Sequence, residues 1–192
     1  MKSISMSGSL RGNVGKKDAK KTRAEGAVPC ALYGGKEQII FSIDEKSVRR
    51  AIFTPEIFLV DLTVSGKKYQ AVVKDVQYHP VSDNIIHVDF QEVIENKPIV
   101  VSLPIVIEGS SPGVLKGGKL IKKFRKLKVK GLVSNMPEKI FMNISNMEIL
   151  DAVKVSDMKI DNLQFLDLPN AIIISIASTR AAVEEPAPTG KK

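Results

Sequence analysis

Residues 74–90, KDVQYHPVSDNIIHVDF, restrict the fold more than any other part of the chain. After a turn at Pro80-Val81-Ser82-Asp83-Asn84 the residues alternate. Ile86, Val88 and Phe90 fall on one face, and His87, Asp89 and Gln91 on the other. A period of two is the repeat of a strand with one buried and one wet face. Before the turn, Val72, Lys74, Val76 and Tyr78 share one parity; Val73, Asp75, Gln77 and His79 share the other. The two runs are predicted to pair as a hairpin with a loop longer than two residues. A polar face carrying Gln77, His87 and Asp89 places donors and acceptors on a stiff sheet, which suits recognition of a polar partner. An ordinary solvated strand face is the competing reading.

Short strands are also predicted upstream. Residues 4–10 alternate, 11–17 (RGNVGKK) form a loop, and 18–25 form a short helix stopped by Gly26. Residues 28–35 (VPCALYGG) are a strand that Pro29 confines to the start or the edge of a sheet. After a strand at 38–43, Asp44 caps a helix running through Arg49, Arg50 and Ile52, which Thr54-Pro55 ends. Residues 58–65 and 68–77 flank a turn at Gly66-Lys67. Closing such a set of strands hides their edges, so residues 1–95 are expected to be a small β-barrel with short helices.

The pattern resets at 93–98, and residues 96–180 are expected to be a second β-rich domain. Its strands are predicted at 99–108, broken by Pro104, and at 119–133, 140–144, 153–160 and 172–177, with a glycine-rich loop at 109–118. Residues 181–192 (AAVEEPAPTGKK) are expected to be a disordered tail. The chain is thus mainly β with short helices.

Charge narrows the choice of partner. The net charge is +8, but residues 1–25 carry +5 and residues 116–130 carry +8, leaving −5 elsewhere. Focused positive charge favours polyanions, nucleic acid before acidic membrane surfaces. Solubilising surface charge is the plainer alternative. Lys17, Lys20 and Lys21 share one face of the first helix, and Lys126, Lys128 and Lys130 share one face of a strand. No run of about 18 apolar residues is present, so no membrane span is expected. The first residues lack the apolar core of an export signal. The single cysteine, Cys30, fits a reducing compartment and a small buried residue.

Catalysis needs a nucleophile or an acid–base group with a positioned partner. His87 and Asp89 could hold an imidazole tautomer, but no nucleophile accompanies them in the sequence. His79, His87 and Cys30 have no zinc spacing. GSSPGVLKGG is not a phosphate loop, because no Gly-Lys-Ser/Thr opens a helix. No dinucleotide fingerprint is present. No catalytic residue, metal or cofactor is expected.

RAEGAVPCALYGG at 23–35 followed by KDVQYHPVSDNIIHVDF at 74–90 resembles bacterial ribosomal protein twenty-five of the large subunit, in its longer two-domain form of the general stress protein CTC type. An arginine-bearing turn, Gly-x-x-Pro-x-x-x-Tyr-Gly, Gln-x-His-Pro and His-x-Asp-Phe occur in the family's order. The likeness is strong over residues 4–95. It is weaker in the second half, where GVLKGG (113–118), Met136-Pro137-Glu138 and VSDM (155–158) are similar to the family's second domain. That domain usually has a glycine near Leu150, ahead of its Asp; this chain has none, which leaves the turn there open.

The resemblance implies a barrel that docks on an internal loop of 5S rRNA in the central protuberance, in a cytoplasmic, ribosome-associated protein. It implies Arg11, Lys16, Lys20, Lys21 and Arg23 as backbone contacts, Tyr33 as an RNA-contacting ring, and Lys74, Gln77, His87 and Asp89 as contacts on the sheet. Lys20 and Lys21 stand where shorter members have paired arginines, replacing bidentate forks by point charges. Other large-subunit components, 23S rRNA or ribosomal proteins, are the expected neighbours of the second domain. The alternative is a stress-related, non-ribosomal module that binds RNA or protein.

Overall fold

The computed structural model describes residues 1–35, 37–94, 97–160 and 162–179. It forms two compact units: residues 1–101 with 131–138, and the remaining described residues. The predicted tail lies outside the described residues.

The first unit is a closed six-stranded barrel. Its elements are β1 (Lys2–Leu10), α1 (Lys16–Ala24), β2 (Ala27–Tyr33), β3 (Ile39–Asp44), α2 (Glu45–Ile52), β4 (Phe58–Val64), β5 (Lys67–Tyr78) and β6 (Ile85–Glu92). Around the barrel the order is β1-β3-β2-β6-β5-β4. β1 closes it by pairing parallel with β4 through Gly8 and antiparallel with β3 from Gly8 onward. Gly8 thus belongs to both ladders, and a Cβ there would lie 2.7 Å from the Phe41 ring. The interior is aliphatic around one tilted aromatic pair, Phe41 and Phe90, with centroids 5.8 Å apart. Val28, Cys30, Leu32, Val60, Leu62 and Val88 are also fully buried. Each such large side chain contributes about 1.5–3 kcal/mol on burial.

Two irregularities in the β5–β6 hairpin change its faces. The register shifts once between Val73 and Asp75 and again between Gln77 and Tyr78. A one-residue bulge switches parity on one strand and not the other. Val73 and Val76 therefore both pack on the core, while Asp75 and Gln77 face out opposite Asp89 and His87. Ile86 was expected on the core face; the second bulge gives that place to Ile85, 2% exposed, and leaves Ile86 half-buried outside. Pro29 lies in an interior strand, not at an edge. It is tolerated because the β6 ladder begins one residue later, at Cys30.

The second unit carries β7 (Ile99–Glu108, its first three residues in the first unit), α3 (Pro112–Leu115), β8 (Lys119–Lys122), β9 (Lys126–Gly131), β10 (Ile140–Asn143), β11 (Ala152–Lys154), β12 (Gln164–Phe165) and β13 (Ile172–Ala177). They form a four-stranded sheet, β10-β7-β9-β12, and a three-stranded sheet, β11-β13-β8.

Several sequence expectations change here. Pro104 does not break β7, because pairing with β10 starts just after it, at Ile105. The basic stretch 119–133 is not one strand: β8 pairs with β13 and β9 with β12, the chain changing sheets at 123–125. The strand expected at 153–160 stops after Lys154. There the Asp157 carboxylate accepts the Lys154 backbone N–H at 2.9 Å and the Ser156 hydroxyl at 3.1 Å, closing a 3₁₀ turn. Those two bonds, the backbone one foremost, hold its carboxyl below the usual range. The loop at 109–118 contains α3, which Ser111 caps by accepting from the Gly113 N–H. At the missing glycine, Leu150 adopts φ 75, so the left-handed turn is kept without glycine.

Candidate nucleic-acid interface

A groove of about 590 Å³ lies against the outside of the barrel in the first unit. Its floor follows from register. Ile40 pairs with Ala31, Ala31 with Asp89 and Asp89 with Asp75, so one row of outward residues crosses β3, β2, β6 and β5. The neighbouring row sets His87 opposite Gln77. Pro29 and Ala31 keep the floor low where α1 passes over β2. Tyr33, paired with Gln91, closes one end. Desolvation first, then the charges of Asp89 and Asp75, push the Tyr33 phenol up, so it stays a hydrogen-bond donor at neutral pH.

The wall is α1 and the loop before it. The helix buries no residue, so burial of its own side chains does not anchor it. The Arg11 Nε donates to the Asp18 carboxylate at 3.1 Å, its guanidinium forms a second, ion-paired contact there, and its side chain is only 8% exposed. Arg23 donates to the Ile86 carbonyl at 3.1 Å, which ties the end of the helix to the bulge in β6. His87 Nδ1 lies 3.0 Å from the Asp89 carboxylate.

Seven of the sequence-predicted residues line this groove: Arg11, Lys16, Arg23, Tyr33, Gln77, His87 and Asp89. Lys20, Lys21 and Lys74 do not. Lys20 and Lys21 project from the exposed face of α1, Lys21 lying 3.9 Å from Glu25. Lys74 sits at the first bulge and donates its Nζ to the Val100 carbonyl at 3.0 Å. The structure adds Gln38, Ile40 and Ile86 to the lining, and Asp75 to the floor row. Asp75 shares the parity of Gln77 in the sequence, and only its place opposite Asp89 depends on the bulge. The result is a basic wall above a floor of fixed donors and acceptors, with an aromatic ring at one end. Such a surface attracts phosphates and reads the edges of bases that are not in regular helix. Among the described residues no group of three or more His, Cys, Asp or Glu is placed to hold a metal, and no helix is long and apolar enough to cross a membrane.

Residues 6–90 match the Ribosomal L25p family, and residues 98–180 match the C-terminal domain of ribosomal protein TL5. The large ribosomal subunit protein bL25 of Bacteroides fragilis is 40% identical over 197 residues, covering all of both chains. That of Porphyromonas gingivalis is 42% identical over 95% of this chain and 96% of its own. That of Azobacteroides pseudotrichonymphae is 39% identical over 95% and 97%. The chain therefore belongs to the bL25 family of large-ribosomal-subunit proteins, in the form that carries a TL5-type C-terminal domain.

Proposed function

We propose that this protein is a non-catalytic structural component of the large ribosomal subunit that binds 5S rRNA in the central protuberance, through the groove on its barrel. The observation that carries the reading is the convergence of Arg11, Lys16, Arg23, Tyr33, Gln77, His87 and Asp89, drawn from four elements and the loop before α1, on one groove. The lysines and arginines supply salt-dependent affinity for the RNA backbone. The regular RNA major groove is too narrow for side chains, so Gln77, His87 and Asp89 read a distorted internal loop. A carboxylate is unfavourable beside phosphates; Asp89 is useful there only as an acceptor for a base amine or a 2′-hydroxyl, with His87 beside it. In this reading residues 1–95 carry 5S recognition, residues 96–180 meet other large-subunit components, and the protein is cytoplasmic and ribosome-associated.

The test is co-sedimentation of tagged full-length protein with large subunits at moderate salt. The expected result is a stoichiometric peak with the large subunit that Gln77→Ala/Asp89→Ala depletes. Protein that stays at the top of the gradient in every growth state contradicts the reading.

A further inference from the structure

The groove leaves the larger of the two basic segments unused. Residues 116–130 hold eight lysines and arginines and no acid. On β9, Lys126, Lys128 and Lys130 are exposed while Leu127 and Val129 are fully buried beneath them. Alternate residues of a strand stand about 6.8 Å apart, so the three lysines leave the strand at even intervals along one face. None of the three is ion-paired with a carboxylate among the described residues. The strand beneath them is fixed on both sides. Its Lys128 N–H donates to the Asp167 carboxylate at 2.7 Å, its Lys128 carbonyl accepts from the Leu166 N–H at 3.0 Å, and β7 lies on the other flank.

An aromatic ring shares this face. Ile140 and Met142 of β10 are buried, so Phe141 between them points outward and is 60% exposed. The register places it at one end of the row. Ile105 of β7 pairs with Ile140 on one side and donates to the Arg125 carbonyl at 3.0 Å on the other. Phe141 thus lies two strands, about 10 Å, from the Arg125–Lys126 end of the lysines.

We propose that the solvent face of the β10-β7-β9-β12 sheet is a second RNA-binding surface, which takes a single-stranded segment with phosphates on Lys126, Lys128 and Lys130 and a base stacked on Phe141. A row of lysines on a fixed strand, without carboxylate partners among the described residues, fits a polymer of regularly spaced anions. An exposed ring beside such a row is the pattern of single-strand platforms, which combine a basic track with stacking. An acidic protein surface or an anionic membrane would use the charge, but neither accounts for the flat ring at the end of the row. This surface is independent of the groove and does not rest on the 5S reading.

The experiment is anisotropy titration of the full-length chain into a labelled, unstructured single-stranded RNA of about 20 nucleotides over a salt series. Three lysines that neutralise phosphates contribute about 2 to the slope of log affinity against log salt for a single strand. Lys126→Gln/Lys128→Gln/Lys130→Gln is expected to lower the slope by that amount. Phe141→Ala is expected to weaken binding on the order of tenfold with the slope unchanged, because stacking releases no counterions. These positions are exposed, and an unchanged thermal midpoint confirms the fold. Lys46→Gln/Lys67→Gln/Lys68→Gln, equal in charge and exposed on the first unit, is the control. An unchanged slope in the first variant, an equal fall in the control, or unaltered affinity in Phe141→Ala overturns the proposal. So does competition by anionic lipid vesicles that requires the three lysines while the RNA does not. A separate failure to bind 5S rRNA leaves this result standing, since Gln77→Ala lies on the other unit and is expected to leave the slope unmoved.

Discussion

His87 Nδ1 sits 3.0 Å from the carboxylate of Asp89, two residues along the same outward face of β6. A carboxylate only accepts, so the neutral ring carries its proton on Nδ1 and leaves Nε2 as an acceptor. Asp89→Asn replaces that acceptor by an amide that can donate, which favours the other tautomer. The imidazole nitrogen shifts, read by NMR at alkaline pH, are expected to exchange between the two variants. Affinity for the 5S internal loop is expected to fall by roughly tenfold or more, the worth of one charged hydrogen bond. Identical nitrogen shifts in both proteins would remove Asp89 from the role of fixing the ring.

Arg11 holds the wall of the groove in place. Its side chain is 8% exposed and engaged with Asp18 across the loop into α1, a helix that buries nothing of its own. A nine-residue helix is unstable in isolation, so its order depends on such ties. Arg11→Ala is expected to abolish hydrogen-exchange protection over residues 18–25 while the barrel strands keep theirs. Protection lost evenly over the barrel would instead make Arg11 part of the core's stability.

Leu150 pays for a turn that glycine would make freely. It has φ 75 and is 77% exposed, so backbone conformation, not packing, dominates its contribution. A left-handed non-glycine residue costs about 1–2 kcal/mol, offset in part by the flexibility glycine brings to the unfolded chain. Leu150→Gly is expected to stabilise the protein by about 1 kcal/mol in denaturant unfolding. Destabilisation would show that the Leu150 side chain matters more than its backbone.

Cys30 is fully buried, and desolvation pushes its thiol up to about 12. The native thiol is expected to resist an alkylating reagent at pH 8 and to react once the protein is unfolded. The raised value belongs to the folded state. The stability it implies is complete below the ordinary thiol range near 9 and is lost as pH rises towards about 12. Rapid labelling under native conditions would mean that the barrel opens readily around β2.

The barrel was legible because its strands keep strict alternation over most of their length, as His87-Val88-Asp89-Phe90 shows. The same rule failed where one residue was added. The bulges near Lys74 and at Ile86 reverse parity without any change in composition, and so Val73, which shares the parity of Gln77, and Ile86 were assigned to the wrong environments. In the second unit, the alternation of residues 119–133 breaks at Lys122-Lys123 and Arg125-Lys126, where the chain changes sheets; the single-strand reading passed over that break, and alternation alone does not say which sheet each half joins. The VSDM turn was hidden for another reason: Val153 to Ile160 is apolar enough for a strand, and only the carboxylate of Asp157 bonding back to Lys154 stops it. Of the candidate site, the sheet residues and Tyr33 came together as expected. Lys74 did not, because its side chain reaches for the Val100 carbonyl in the folded chain, a contact that no local pattern encodes.

The most direct test of the central claim is titration of the full-length protein into labelled 5S rRNA across a salt series, with excess tRNA as competitor. Tight binding that survives the tRNA and is weakened at least tenfold in Gln77→Ala/Asp89→Ala is expected, with the salt slope of that variant unchanged if, as proposed, both residues read bases and not phosphates. Weak binding that tRNA competes away, and that the double variant leaves unaltered, would contradict the assignment of the groove to 5S rRNA.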